Sequence, residues 1–400
     1  MLICFNQRKV FYEGGKVLVY ALLALSVIAN AVTEKILTKY AIIGSENKNE
    51  KRYSAFLDFL IGNKFLIIFA LIFFATFKAV GVGFDTGNYY EFYEELRTGD
   101  LALFDYFENG FEVGYVFLNS ILAFFNLSFV FLQLAIALIT AVCFSFFIRS
   151  LSQDKGMSYF LFIALGTYAQ SFTAFRQIIA MSLVAVAIVM LFKNNYIWFL
   201  LLTLLAFCFH SSAILCLGII LFKFVKMNWK TVLFFIALTA ICFFGFRQIM
   251  YFLDVLFGVD YYQRYFATNQ VYMMETSLLD ILYTISLSLI FVVLFVFKNR
   301  LKLSESQRKQ YSFFLLMFLM VPLIRIVGME LNYQTLVNRF TLYFFISLII
   351  LIPLFAQGTK GTKYYKFVVP AVYIIASGYM YYLYTIKLAS GVVPYRFIWK

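Results

Sequence analysis

The sequence has few of the residues that soluble enzymes use for metal and thiol chemistry. It contains a single histidine, His210, and five cysteines, none of them in a CxxC pair. Zinc sites need several closely spaced Cys or His ligands, so we predict no metal site, no disulfide and no cofactor. P-loop, HExxH and GxSxG patterns are also missing, which leaves nucleotide hydrolysis, zincin and common serine-hydrolase chemistry without support.

Charged residues are scarce as well. They make up 13% of the 400 residues, whereas 63% are hydrophobic, and soluble domains are nearer a quarter charged. Runs such as 129–148 and 281–297 approach the roughly 20 apolar residues of a spanning helix. The composition predicts an all-α, polytopic membrane protein. The net charge of +13 then reflects basic cytoplasmic loops, and we expect no nucleic-acid partner.

We predict about 11–13 transmembrane helices with external re-entrant or loop helices, in a single integral membrane domain over residues 1–400. The predicted spans are 16–33, 60–83, 128–148, 157–172, 175–192, 196–210, 211–223, 231–247, 277–297, 312–328, 337–356 and 366–386. The first is expected to remain as an anchor. Residues 111–127 are apolar but interrupted by polar residues, which favours a re-entrant or interfacial helix. The short segments 196–210 and 211–223 are either two helices or one long, bent helix.

The distribution of basic residues predicts the orientation. Loops at 34–54, 149–156, 193–195, 223–230, 298–311 and 357–366 together carry 19 Lys and Arg, but the alternate segments 84–112, 173–176, 247–276 and 325–339 carry 6. The first set is therefore expected in the cytoplasm. We expect external loops at about 84–127, 247–276 and 325–339. The predicted location is the bacterial inner membrane, with the functional face toward the periplasm or cell exterior.

The external segment 84–112 is acidic and aromatic. It holds eight carboxylates against one basic residue, Arg97. The carboxylates are Asp85, Glu91, Glu94, Glu95, Asp100, Asp105, Glu108 and Glu112, and the aromatic residues include Tyr89, Tyr90, Phe92 and Tyr93. Carboxylates suit the hydroxyls of a carbohydrate, and aromatic faces suit its rings. The alternative is a solvated loop without a binding role.

Five cationic or titratable residues on the predicted external side are candidates for chemistry. Arg176 opens an apolar helix, where a guanidinium can bind a phosphate through two N–H groups or extend to lipid headgroups. His210 is either a proton-transfer group or a packed core residue. Arg264, Arg325 and Arg339 face the same compartment against the usual bias, which fits either binding of a lipid pyrophosphate or internal ion pairs.

Six short segments, in this order and spacing, resemble the EpsG family of Wzy-like exopolysaccharide and O-antigen polymerases. They are GVGFDTGNYYEFYEEL (81–96), FEVGYVFLNSIL (111–122), FRQIIAMSL (175–183), FHSSAIL (209–215), NRFTLYF (338–344) and VVPYRF (392–397). One departure is Lys78, where family members often carry Arg before the Gly-x-Asp element. The resemblance implies a fold similar to GT-C-like polymerases. It also implies a site containing Asp85, Tyr89, Tyr93, Glu112, Arg176, His210 and Arg339.

The resemblance further implies glycosyl transfer between polyprenyl-pyrophosphate-linked oligosaccharides, which serve as donor and acceptor. We expect arginines to neutralise the leaving pyrophosphate, Arg176 and Arg339 foremost and Arg264 and Arg325 less strongly. Base candidates are His210, Asp85 and Glu112. Membrane lipids and a chain-length regulator are the other expected partners. The alternatives are a flippase or permease, which would also be polytopic, an O-antigen ligase, and a structural or assembly subunit.

Overall fold

The computed structural model describes residues 65–99, 111–257, 277–330 and 334–399. In these ranges the secondary structure is helical, apart from an isolated β-bridge between Lys78 and Phe397. The helices are α1 (Phe65–Thr76), α2 (Thr86–Thr98), α3 (Val113–Phe124), α4 (Phe129–Leu151), α5 (Lys155–Ala164), α6 (Gln170–Thr173), α7 (Phe175–Phe192), α8 (Tyr196–Phe209), α9 (Ile219–Phe222), α10 (Trp229–Phe257), α11 (Leu278–Phe297), α12 (Glu305–Glu330), α13 (Gln334–Phe345), α14 (Leu348–Gly358) and α15 (Tyr365–Tyr381). The predicted all-α, polytopic architecture is confirmed.

Six helical segments in the described residues are long and apolar enough to cross a membrane. They are Phe129–Leu151, Phe175–Phe192, Leu278–Arg300, Glu305–Met329, Arg339–Gly358 and Tyr365–Ile386. Five shorter apolar helices accompany them. Two predicted spans extend beyond their helices. The span 60–83 continues past α1, which ends at Thr76, and the span 157–172 continues past α5, which ends at Ala164 because Gly166 adopts a left-handed φ of 81° that breaks the helix. The predicted span 16–33 lies outside the described residues.

The chain divides into two compact units. The first contains residues up to Ser211 and from Lys366 onward, and the second runs from Ser212 to Tyr365. The prediction of one integral membrane domain stays a prediction. Segment 325–339, expected as an external loop, is largely helical, since α12 continues to Glu330 and α13 begins at Gln334.

The first unit is built around α7, which packs against α4 and α8. Small side chains such as Ala180, Ser182 and Ala185 are fully buried on α7 and allow the neighbouring helices to approach closely. Large apolar side chains of α8, including Trp198 and Leu201, are instead about half exposed. A surface of this kind suits contact with lipid.

A tight turn joins α7 and α8 into an antiparallel hairpin. Asn194 takes a left-handed φ of 60°, and the side chain of Asn195 accepts a hydrogen bond from the backbone N–H of Trp198 at 3.2 Å, which caps α8. Because α7 and α8 run in opposite directions, the first turn of α7 and the end of α8 lie at the same end of the hairpin. This places Arg176 and His210 together.

In the second unit α12 packs against α10, α11, α13 and α14. The Tyr311 hydroxyl on α12 donates to the Leu294 carbonyl on α11 at 2.8 Å. This unit also contains the arginines Arg325 and Arg339, on α12 and α13.

Candidate functional site

Glu112 is the centre of a three-residue ionic cluster in the first unit. Its Oε2 accepts a hydrogen bond from Arg176 at 2.6 Å, and its Oε1 lies 3.0 Å from Nδ1 of His210. The backbone N–H of Ser211 also donates to Oε1, at 3.2 Å. The three side chains are between 11 and 22% exposed. The cluster is therefore largely shielded from water, with part of the Arg176 and Glu112 side chains exposed.

The start of α3 places this carboxylate. Glu112 is the residue before α3 and has extended backbone angles, and its side chain does not cap its own helix. Gly114 lets α3 approach the end of α8: a Cβ at this position would lie 2.8 Å from the Cys208 carbonyl. Because this contact involves backbone, a larger residue would have to push α3 away. The close approach brings Glu112 within reach of His210.

Arg176 lies in the first turn of α7, where the helix dipole is positive. A cation is unfavourable at this end of a helix, so a nearby anion is needed. Glu112 supplies that anion, and the Phe111 ring lies 4.8 Å from the guanidinium carbon. The arrangement makes the start of α7 a strongly positive site that one carboxylate neutralises in part.

His210 follows α8 in an extended conformation, with φ −156° and ψ 118°, so the chain breaks here instead of continuing as one bent helix. With Glu112 bound at Nδ1, the neutral ring carries its proton there, since a carboxylate only accepts. Nε2 then has an available lone pair. It is buried and has no hydrogen-bond partner among the described residues. An imidazole held in this way is arranged to accept a proton at Nε2.

The pKa of Glu112 reflects its neighbours. Burial opposes ionisation of this carboxyl, but the hydrogen bond from His210 and the charge of Arg176 outweigh it and lower the pKa from 4.5 to about 2. Glu112 is therefore ionised throughout the physiological pH range. A carboxylate with both oxygens engaged and such a low pKa is a weak base, and its chemical use is to orient its partners.

Aromatic rings form one wall of the cluster. Tyr89 stacks on Phe175 with ring centroids 4.8 Å apart and an interplanar angle of 10°, and its edge meets Tyr115. Arg176 also interacts with the side chain of Tyr89. Phe111 packs on Phe92 at 4.0 Å. These apolar faces exclude water and strengthen the ionic contacts beside them.

Asp85 and Tyr93 of α2 hold different positions. The backbone N–H of Asp85 donates to the Thr173 hydroxyl at 3.3 Å, which ties the start of α2 to the segment before α7. Tyr93 is fully buried, and its hydroxyl donates to the Leu127 carbonyl at 2.8 Å. The expected contact of Tyr93 with substrate finds no support in this position, because packing and an internal hydrogen bond engage the whole side chain.

The other predicted arginines lie apart from this unit or outside the described residues. Arg325, on α12 of the second unit, is 7% exposed and pairs with Asp280 at 3.4 Å and with the Thr284 hydroxyl at 3.0 Å. An internal ion pair, the alternative raised by the sequence, is thus what Arg325 forms. Arg339 lies on α13 of the second unit and is partly exposed. Arg264 falls outside the described residues.

Sequence reasoning missed Asp280. It lies one turn into α11, within a run predicted only as a span, and it is the carboxylate that compensates Arg325. The available signal was a charged residue at the edge of an apolar run, which usually has a partner. Within the residues described by the structure, no group of three or more His, Cys, Asp and Glu side chains is arranged to hold a metal ion.

The fold and the cluster define a class: an all-α, multi-pass membrane protein with a shielded carboxylate shared by an arginine and a histidine. Residues 64–397 match the EpsG family, and the chain belongs to that family, whose members are Wzy-like polysaccharide polymerases. The match covers the site and both units. No curated protein and no solved structure matches the chain.

Proposed function

We propose that the protein joins oligosaccharide units carried on polyprenyl pyrophosphate, on the outer face of the bacterial inner membrane. The observation that carries this proposal is the Glu112 carboxylate shared by Arg176 and His210. It holds a permanent cation beside an imidazole oriented for proton transfer. Membership of the EpsG family supports a polymerase-like activity, and the residues of the cluster supply the chemistry.

In the proposed reaction a hydroxyl oxygen of the acceptor saccharide forms a bond to the anomeric carbon of the donor chain. The bond between that carbon and the pyrophosphate oxygen breaks, and the lipid pyrophosphate leaves with the electron pair. The hydroxyl proton passes to Nε2 of His210 as the new bond forms. Since Nδ1 is held by Glu112, the ring presents Nε2 in the form that accepts a proton.

Arg176 is assigned to the leaving group. Negative charge develops on the pyrophosphate as the bond breaks, and a guanidinium binds phosphate oxygens through geometrically matched N–H groups. The Arg176 side chain is 22% exposed, so a substrate phosphate can reach it. Arg176 lies in the first turn of α7, and the free backbone N–H groups at a helix start also favour an anion.

Of the three base candidates, the geometry favours His210. Glu112 is engaged at both oxygens and has a pKa of about 2. Asp85, partly exposed at the start of α2, is the alternative base and is tested beside His210.

The test is complementation of a strain from which the gene has been deleted. Surface glycan is separated on a gel for the wild type and for the variants His210→Gln, Arg176→Ala and Asp85→Asn. We expect the deletion to collapse the ladder to a single repeat on its acceptor, and the His210 and Arg176 variants to fail to restore it. Glu305→Gln is the matched control, because Glu305 pairs with Lys309 at 2.8 Å on an exposed surface.

Each other outcome has a definite meaning. A full ladder in the deletion strain overturns the polymerase proposal. Loss of all surface glycan, single units included, favours ligation, whereas precursor retained on the inner leaflet favours a flippase. A ladder restored by His210→Gln but not by Asp85→Asn moves the role of base to Asp85.

A further inference from the structure

Lys78 is a fully buried lysine next to the cluster, and the proposed reaction does not use it. Its exposed fraction is 0%, and in the described part of the chain it forms no ion pair. Its Nζ donates to the Val82 carbonyl and to the Thr86 hydroxyl, both at 3.1 Å. Burial of a polar nitrogen is costly unless it is hydrogen-bonded, so these two acceptors stabilise the buried amine.

The acceptors of Lys78 belong to the segment that begins α2. The Thr86 hydroxyl that receives the Lys78 hydrogen bond is also 2.6 Å from the Phe172 carbonyl, to which it donates. Gly83 allows this contact, since a Cβ there would lie 2.0 Å from the same carbonyl. The adjacent backbone N–H of Asp85 donates to Thr173. Lys78 therefore fastens the start of α2 to the residues immediately before α7.

A second contact connects Lys78 with the cluster itself. The Lys78 Nζ lies 5.1 Å from the centroid of the Phe175 ring, within the range of a cation–π interaction. The same ring stacks on Tyr89, and Tyr89 interacts with Arg176. The Phe175 ring and Tyr89 thus connect Lys78 with Arg176.

We propose that Lys78 is a positioning residue that acts through the Phe175 ring and Tyr89 to hold Arg176 in its anion-binding orientation. This inference rests on the proposed function, in which Arg176 binds the leaving pyrophosphate. Loss of the Lys78 amine removes the hydrogen bonds that order the start of α2 and the contact of Nζ with the Phe175 ring. Tyr89 then loses the fixed position from which its hydroxyl supports the guanidinium.

The test is Lys78→Met, which removes the amine at similar length. The measured quantity is the amount of polymer longer than one repeat in complemented cells, divided by the amount of polymerase in the membrane. We expect a loss of about tenfold or more, since a displaced binding group commonly costs that much. The matched control is Lys193→Met. Lys193 comes directly after α7, and its Nζ also lies 5.1 Å from the centroid of a phenylalanine ring, but its side chain is exposed. We expect full polymer from the control.

A double-mutant cycle separates positioning from a purely structural role. Tyr89→Phe keeps the stacked ring and removes only the hydroxyl. If Lys78 acts through Tyr89, then adding Lys78→Met to Tyr89→Phe should lower polymer formation further by less than about threefold. A purely structural role would lower activity by the same factor in both backgrounds, and that result would overturn the proposal.

The remaining outcomes are also decisive. If Lys78→Met does not accumulate in the membrane, Thr86→Val replaces it in the cycle, because it removes one hydrogen-bond acceptor of Lys78 and leaves the lysine in place. Equal losses in both backgrounds then refute the proposal. Normal polymer from Lys78→Met, when Arg176→Ala abolishes it, overturns the positioning role alone. Normal polymer from Arg176→Ala overturns the proposed function.

Discussion

Replacing Glu112 by glutamine changes one carboxylate oxygen to an amide nitrogen and is expected to reverse the proton arrangement on His210. Arg176 donates at 2.6 Å, a shorter contact than the 3.2 Å hydrogen bond from the Ser211 N–H to the other oxygen, so we expect the amide oxygen on the Arg176 side. The amide NH2 then faces Nδ1 of His210, which has to become an acceptor. The ring proton moves to Nε2, and that nitrogen can no longer accept the proton of the acceptor hydroxyl.

The expected size of the effect follows from these contacts. The equivalent carboxylate-to-amide change beside the catalytic histidine of serine proteases costs about 10⁴-fold, which sets an upper value. The Glu112 cluster is partly exposed, so we expect a loss of about 10²- to 10⁴-fold in the rate of polymer formation. The free energy of unfolding should fall by about 2 kcal/mol, the scale of a charge-assisted hydrogen bond. The two effects are measured separately.

The assay is the initial rate of polymer formation in membranes that contain their own lipid-linked substrate. Rates are divided by the amount of polymerase in the membrane, so that a loss of stability does not appear as a loss of catalysis. Glu305→Gln makes the same chemical change at an exposed ion pair and should leave the rate unchanged. A Glu112→Gln rate within about threefold of wild type would refute the tautomer argument and with it the assignment of His210 as base.

Three further predictions concern stability and geometry. The stability that the depressed pKa of Glu112 contributes is fully present above pH 4.5 and is lost as the pH falls from 4.5 toward 2. The melting-temperature difference between wild type and Glu112→Gln in detergent should therefore shrink as the pH falls below 4.5, and a difference that grows in that range would contradict this. Gly114→Ala should lower polymer formation about tenfold or more, because the added Cβ pushes α3 away from α8, whereas Gly218→Ala, which has open space at its Cβ, should not lower it. Equal rates in the two variants would show that the close approach is not required. Asp280→Asn should lower the melting temperature by several degrees, because it leaves Arg325 buried without a full counter-charge, and it should change the rate per molecule by less than about twofold. A large loss of rate at unchanged stability would instead indicate that Arg325 binds substrate.

Helices with uninterrupted apolar runs were predictable from the sequence. The span expected at 175–192 coincides with α7, since its apolar run ends at Lys193 and two asparagines that favour a turn. The span expected at 157–172 was wrong in its extent. The sequence shows a glycine at 166, but a glycine can either continue a helix or end it with a left-handed φ. Tertiary packing decides between the two, and here the helix ends.

The members of the cluster could be proposed one by one, but not their connection. His210 is the only histidine, and Arg176 begins an apolar helix; both features are visible in the sequence. Glu112 is 64 positions from Arg176 and 98 from His210, and one carboxylate joins them only because α3 meets the end of α8. That meeting depends on the missing side chain of Gly114, which carries no sequence signal of its own.

The burial of α2 was likewise hidden in the sequence. Tyr89 and Tyr93 are one turn apart and therefore share a helix face, which for an acidic segment could face either a sugar or the protein core. The structure places both against protein, with exposed fractions of 7 and 0%. The composition of α2 predicted its polar face, but only the packed structure shows that its aromatic face lies against the protein and supports Arg176.

The Glu112 carboxylate stabilises two different cations in the course of the proposed reaction. Before transfer, Arg176 is a cation at the positive end of α7, and Glu112 is needed to keep it there. During transfer the incoming pyrophosphate takes over that charge, while His210 gains a proton and becomes a second cation. Glu112 already touches His210 and is ionised down to about pH 2, so it can stabilise the imidazolium without moving. The shared carboxylate thus ties neutralisation of the leaving group to proton transfer, which two separate ion pairs would not do.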